Sequence, residues 1–420
     1  MNRLVSLLGI CVFMAIAYAL AGKNRWINYR VIVWGLCVQA VFAFFIFRLK
    51  TGTLIFSYIN SFVLQLISFA AEGSKFLFGP LALPPGTEGS IGFVLAFQAL
   101  PAVIFFSSLL AFLYYIGIMS YIIQFFSYIF TKLMNISGAE SLCASSNIFV
   151  GIESALTVRP YLEKMTQSEL CVILTAGMGT IASTVLAIYV SFLQNEFPNI
   201  AGHLVSASLL SAPASVIMAK LIMPETDKPV TLGINVKPHI ERSGNWIEAI
   251  IRGANDGVKL CVGIGALLIA FLGLLALVNW LVSGGTGGFL TLQKFFGMVS
   301  YPLTWLMGIP ADDVGQLAPL LGERIILTEV VSYNHLAELI KQGIVTNPRS
   351  IVIMTYALCG FAHIASLAIF VGGISAIVPS RAKDLARISG KALIAATLAC
   401  LMTGAIAGIF CGSSPTVLFQ

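Results

Sequence analysis

Gly177-Met178-Gly179-Thr180-Ile181-Ala182-Ser183 and Gly360-Phe361-Ala362-His363-Ile364-Ala365-Ser366 share the text G-x-x-x-I-A-S. Each stretch sits in a long apolar run and follows a glutamate in a shorter one. Glu153 precedes the first copy and Glu329 the second, and each copy is followed by one further apolar run. Seven residues of likeness are weak evidence in a chain rich in Ala, Gly and Ser. The shared order of short interrupted segment, long run and long run makes an internal repeat the better reading. Two such halves in inverted orientation are a recurring design of secondary transporters, with the solute site between them near the bilayer midplane.

Around the repeat, 58% of the 420 residues are hydrophobic and 10% are charged. A soluble domain carries about 25% charged residues, so this chain lacks the polar surface to wrap a water-soluble core. Composition thus argues against a soluble enzyme, a secreted disulfide scaffold, a nucleic-acid-binding module and a disordered chain. The net charge of +6 reads as basic residues gathered at the cytoplasmic ends of spans. The eight cysteines are scattered singly with no C-x-x-C pair, as small buried hydrophobes would be. No H-E-x-x-H, G-x-S-x-G or Walker A text is present, which leaves metalloprotease, serine hydrolase and ATP-driven pump without support.

Apolar length predicts eight crossings, at 4–21, 31–47, 91–118, 170–193, 204–223, 260–282, 351–378 and 392–410. A cleaved signal peptide is the alternative for 4–21; Lys23, Arg25 and Arg30 just after it favour a retained span. The segments 141–157 and 309–333 are short and polar-interrupted, and are read as re-entrant hairpins. Segments 54–78 and 121–134 have the mixed character of helices lying along the interface. With loops 22–30, 118–168, 220–259 and 381–391 placed inside, two thirds of the 24 Lys and Arg lie inside. Both termini are then outside.

The fold class is an all-α polytopic membrane protein of about eight transmembrane helices, with two re-entrant hairpins, interfacial helices and an inverted repeat. The expected divisions are two N-terminal spans (1–50), a scaffold with interfacial helices and the third span (51–135), and a first transport repeat (136–223). A second scaffold portion with the sixth span (224–308) and a second transport repeat (309–420) complete the chain.

A carboxylate held in hydrocarbon costs roughly 2.5–3.5 kcal/mol, so Glu153 and Glu329 are expected to face a polar cavity; a glutamate that snorkels to the interface is the alternative. Asn147, six residues before Glu153, offers an amide oxygen and nearby carbonyls to a small cation, and Thr180 can add a hydroxyl. Ordinary interhelical hydrogen bonds account for both equally well. His363 and Ser366 are three apart and share a helix face, as solute contacts or, for the imidazole, a proton relay. His203, His239 and His335 sit near loops and are read as solvated. Arg159 and Arg381 are read as structural. Asp256, Gly257 and Lys259 are read as the capped and anchored start of a span.

Further text extends the pattern. Asn147-Ile148-Phe149-Val150-Gly151, Arg159-Pro160-Tyr161-Leu162, Met165-Thr166-Gln167-Ser168-Glu169-Leu170, Gly253-Ala254-Asn255-Asp256-Gly257, Thr328-Glu329-Val330-Val331-Ser332-Tyr333, Thr355-Tyr356-Ala357-Leu358-Cys359-Gly360-Phe361 and Gly372-Gly373-Ile374 follow in order. Over roughly residues 90–412 this text resembles the concentrative nucleoside transporter family, bacterial type. The resemblance implies cation-coupled uptake of nucleosides by a homotrimer in the bacterial inner membrane, with no nucleic-acid partner. A transport domain would move as an elevator against a scaffold of the third and sixth spans and the interfacial helices. It implies a sodium site at Asn147, Val150, Thr180 and Ile181, with Thr180 supplying the hydroxyl. It implies solute contacts from Gly151, Ile152, Glu153, Ser154, Glu329, Phe361, His363 and Ser366. Two positions depart from the family pattern. Ile152 stands where a glutamine is usual, and His363 where an asparagine is usual, so selectivity should differ. Proton coupling on the same fold is the alternative drive, and an intramembrane enzyme or a passive channel the alternatives in class.

Overall fold

The computed structural model describes residues 2–22, 26–239, 243–286 and 291–411. Apart from one isolated bridge between Ser137 and Leu232, these residues form helices and loops. The chain opens with α1 (Asn2–Ala19), α2 (Tyr29–Arg48), α3 (Lys50–Phe78), the single turn α4 (Leu95–Gln98), α5 (Leu100–Tyr115) and α6 (Ile118–Met134). The first repeat holds α7 (Gly138–Ser146), α8 (Arg159–Leu162), α9 (Gln167–Gly179), α10 (Ser183–Leu193) and α11 (Ile200–Ile222). Then come α12 (Trp246–Thr286) and α13 (Leu292–Leu306), and the second repeat: α14 (Ala311–Ile326), α15 (Glu329–Lys341), α16 (Pro348–Leu358), α17 (Ile364–Ile377) and α18 (Ala382–Phe410).

Local chemistry fixes the repeat boundaries. α7 starts on a capping box: Ser137 accepts from the Glu140 N–H, and Glu140 accepts from the Ser137 N–H at 2.7 Å. α9 starts on a second box, Thr166 with Glu169. Each reciprocal pair satisfies two of the orphan donors at a helix start. Glu140 also pairs with Lys220 of α11 at 2.8 Å, which ties the base of the first hairpin to the helix that closes its repeat.

The hairpins and the repeat take the expected order, but the spans between them differ from expectation. Runs 170–193 and 351–378 were read as continuous helices; both are broken at the shared text. α9 ends at Gly179, and Thr180 and Ala182 are extended before α10 begins at Ser183. α16 ends at Leu358, and α17 begins at Ile364 after an extended His363. The breaks touch: a Cβ on Gly360 would lie 3.0 Å from the Gly179 backbone. Glycine is required there because the two chain reversals pack backbone to backbone.

Other boundaries shift as well. The second hairpin runs on to Lys341, past the expected end at 333, because α15 carries its own polar face beyond the apolar run. Asp256 and Gly257 do not begin a span. They lie inside α12, which starts at Trp246 and is 41 residues long, about 60 Å at 1.5 Å per residue. Among the described residues eight helices are long and apolar enough to cross a membrane by length and composition, and Lys50–Ala82 is one of them. Ser61, Gln65, Ser68, Glu72 and Lys75 form a polar stripe along it at helical spacing, with Gln65, Glu72 and Lys75 exposed; such a stripe suits an interfacial placement. His203 is not solvated. It is fully buried, packed on Phe56 and Phe197, with Nδ1 3.3 Å from the Tyr356 hydroxyl. Aromatic neighbours from other elements bury it, and adjacency to a loop did not reveal them.

The repeats make the interior. The most apolar stretch of α9–α10 is 94% buried, whereas that of α12 has no buried residue. α12 packs on α5 through Gly253 and Gly257, where a Cβ would lie 2.6 Å from the Ser107 carbonyl oxygen and the Ile104 Cα. Its other face leaves Val262, Ile269, Leu277 and Trp280 exposed. Gly257→Leu should force the two helices apart and cost about 1–3 kcal/mol as an overpacked contact. A lower melting temperature of the detergent-solubilised variant checks this; an unchanged one contradicts it.

Candidate solute and cation site

Glu329 is the first residue of α15, where the positive end of the helix dipole favours a carboxylate. The side chain is 3% exposed. Its Oε1 accepts from the Tyr189 hydroxyl at 2.8 Å. Tyr189 comes from the other repeat, on α10, and its ring lies 4.7 Å from that of Tyr333. Oε2 is 3.2 Å from His363 Nε2 yet makes no well-formed hydrogen bond. It remains an acceptor turned toward a cavity.

His363 caps α17. Its Nδ1 accepts the Ser366 N–H at 3.2 Å, and its Nε2 is 2.7 Å from Ser366 Oγ. With Nδ1 engaged as an acceptor, the neutral ring carries its proton on Nε2, toward Ser366 and Glu329. The cap thus fixes both the ring's orientation and its tautomer.

These groups line a cavity of about 120 Å³ between the repeats and α12. Gly151, Glu153, Glu329, Phe361, His363 and Ser366, all expected at a solute site, meet on its wall. Leu260, Ile264 and Leu268 of α12 close the opposite side. Glu153 is exposed to the space. It also lines a second cavity of about 230 Å³, with Tyr114, Thr157, Thr184, His239, Arg252 and Asp256. Glu153, Thr184 and Leu260 are shared, so the carboxylate stands where the two spaces adjoin. The large apolar wall with few convergent polar groups is the usual make-up of a small-solute site.

One expected solute contact, Ser154, does not line this cavity. Ser154 is 2% exposed, and its hydroxyl packs 3.6 Å from Cys143 Sγ inside the hairpin. The 3-10 turn at 152–158 rotates it away from the glutamate beside it. The side chain of Ile152 lies outside the described residues. Tyr189 was not singled out from the sequence; a tyrosine in an apolar run gives no sign of its partner. Tyr189→Phe removes a donor to the carboxylate worth about 1–2 kcal/mol. Solute KM should rise about five- to thirtyfold, as measured by uptake at saturating cation; an unchanged KM contradicts the assignment.

Asn147 follows the last residue of α7, and its Nδ2 donates to Cys143 O at 3.1 Å. Its Oδ1 is buried without a partner. Thr180, just past the end of α9, donates to Asn147 O at 3.1 Å and to Ala176 O at 3.0 Å. The Ser183 N–H donates to Phe149 O at 3.0 Å, which ties the hairpin turn holding Val150 to the break holding Ile181. The C-terminal ends of α7 and α9 therefore converge, and both carry partial negative charge. An orphaned buried oxygen costs about 1–3 kcal/mol. Here it sits among neutral oxygens at two helix C-termini, an arrangement that suits a hard monovalent cation.

Broken helices in two hairpin repeats, with a solute cavity beside a cation-type pocket, define a secondary transporter. Family models for "Na+ dependent nucleoside transporter C-terminus", "Nucleoside recognition" and "Na+ dependent nucleoside transporter N-terminus" match residues 203–408, 96–196 and 8–81. An uncharacterized transporter of Haemophilus influenzae is 38% identical, with 100% of each chain covered. The nucleoside permease NupC of Helicobacter pylori is 35% identical, with 98% of each covered. The structure of CNTnw in an inward-facing substrate-bound state has a TM-score of 0.89 at 36% identity, covering 98% of each chain. The chain belongs to the Na+ dependent nucleoside transporter family. It is a transporter of the multi-pass, eight-span type with inverted hairpin repeats, and not an enzyme.

Proposed function

We propose that the chain imports nucleosides or close analogues, driven by sodium, through an elevator-type movement. The observation that carries this reading is the pairing of Glu329, held at Oε1 and free at Oε2, with an orphaned Asn147 Oδ1 in the other repeat. Glu329, His363 and Ser366 offer an acceptor, a donor and a hydroxyl to a sugar diol. Glu153 and the turn at Gly151 face the base. Sodium would take Asn147 Oδ1, the Thr180 hydroxyl and the carbonyls of Val150 and Ile181, and so order the first hairpin. An ordered hairpin presents Glu153 correctly, so each ligand lowers the cost of binding the other.

The transport domain is assigned to 136–223 and 309–420, and the scaffold to α5 and α12 with the interfacial helices. The exposed apolar face of α12 supports a homotrimer meeting through the scaffold. A bacterial inner-membrane location follows the bacterial relatives, and both termini are placed on the periplasmic side by the charge bias of the loops. Sodium is favoured over protons because the matching family models describe Na+ dependent transporters and a relative is a sodium/nucleoside cotransporter of Rattus norvegicus. Purified protein in liposomes, given a nucleoside panel under imposed gradients, tests the reading. A sodium gradient should concentrate solute above its outside level, unchanged in chemistry. Accumulation that ignores sodium and follows pH, simple equilibration, or altered solute would each overturn it.

A further inference from the structure

The second hairpin contains a charge that neither the solute site nor the sodium site uses. Arg324 lies in the last turn of α14 and is 0% exposed. Among the described residues it has no ion pair with a carboxylate. Nη1 donates to Ala357 O, one residue before the end of α16. Among the described residues Nε and Nη2 have no oxygen partner. The guanidinium also lies against Cys400, whose thiol reaches toward Gly179 O and Cys359 O. A buried, unpaired cation is expensive, so its surroundings must compensate for it.

The repeat indicates how. In the first repeat, the end of the hairpin helix α7 meets the end of the broken helix α9 at two neutral side chains, Asn147 and Thr180. In the second, the corresponding elements are α14 and α16, and their ends meet at the Arg324 guanidinium. At the second junction the C-terminal turn of α16 presents Ala357 O to the guanidinium, and positive charge is favoured at a helix C-terminus. We propose that Arg324 is a resident cation, holding in the second hairpin the place that a coupling sodium ion takes in the first. The second hairpin is then ordered permanently, an arrangement reinforced by Ser332 Oγ donating to Leu320 O at 2.9 Å across its two arms. Only the first hairpin is gated by an external ion. Arg324 acts as a positioning residue: it fixes the junction that follows into Leu327, Thr328 and Glu329. The proposal rests on the sodium reading of Asn147 and Thr180.

Reconstituted protein, with labelled uridine and adenosine as probes and sodium varied, tests it. Arg324→Met keeps the length of the side chain and removes its charge. Uptake should fall by more than about tenfold through a higher solute KM, while half-saturating sodium moves by less than about threefold. Arg324→Lys restores the charge and should stay within about threefold of the parent protein on both measures. A methionine variant that transports normally, or a lysine variant as impaired as the methionine one, overturns the proposal. Should the methionine variant not fold, the lysine variant decides alone: near-parent uptake supports it, and a loss beyond about tenfold overturns it. Asn147→Ala, run in parallel, separates the two levels. Unchanged sodium activation there refutes the underlying sodium reading. Altered sodium activation there, together with an indifferent Arg324→Met, refutes the Arg324 proposal alone.

Discussion

Glu329→Gln lowers nucleoside uptake by on the order of 100-fold, because two charge-assisted hydrogen bonds of about 1.5–3 kcal/mol each depend on the carboxylate. One is in place already, from the Tyr189 hydroxyl at 2.8 Å. The other belongs to the solute, at the oxygen left without a hydrogen bond. An amide has one oxygen, so either Tyr189 or the solute must meet an NH2 group. His363 Nε2, 3.2 Å from Oε2 in the native protein, would then face a donor with a donor. The loss should appear in solute KM and in uptake at fixed solute, with half-saturating sodium changed far less. Uptake of Glu329→Gln within about threefold of the parent protein would remove Glu329 from the solute site.

The second large effect is expected at the cation pocket. Asn147→Ala should raise half-saturating sodium at least about tenfold, equivalent to about 1.4 kcal/mol. The variant loses the buried Nδ2–Cys143 O hydrogen bond and an oxygen that no described group uses, the atom assigned to the ion. The backbone N–H of Asn147 still donates to Cys143 O, which preserves the end of α7. At saturating sodium the variant should recover much of its solute affinity, because Glu329, His363 and Tyr189 are untouched. Sodium activation curves in proteoliposomes give the answer. A variant with the parent curve would show that the orphaned oxygen has another use.

Much of this architecture can be read in the sequence, because a membrane chain advertises its spans through apolar length and its site through the polar groups it tolerates. Glu153 and Glu329 stand out for that reason, and the repeated G-x-x-x-I-A-S marks both breaks even though the breaks themselves were not foreseen. A helix interruption depends on what replaces the missing backbone bonds. Here the replacements come from distant text: Phe149 for Ser183, and Asn147 for Thr180. Tyr189 escaped notice because its partner is 140 residues away. Ser154 faces Cys143 rather than the cavity because a 3-10 turn, not an α-helical one, sets its direction. Arg324 and Arg349 gave no signal as buried charges. Arg349 is satisfied by carbonyls of Gly308, Gly408 and Cys411 and by Ser6, and carbonyl partners are invisible to a search for opposite charges. The proposed sodium pocket is legible only through the family likeness, since one Asn and one Thr do not distinguish an ion site from a helix contact.

The claim at the centre is that sodium at the first hairpin and solute at Glu329 bind as one coupled event. Equilibrium binding of labelled uridine to purified protein, repeated across a series of sodium concentrations, tests it most directly, with the converse titration of sodium at fixed uridine. The account predicts that sodium strengthens uridine binding, that uridine strengthens sodium binding by the same factor, and that Asn147→Ala abolishes both effects together. Uridine affinity that stays constant from sodium-free buffer to saturating sodium would contradict it.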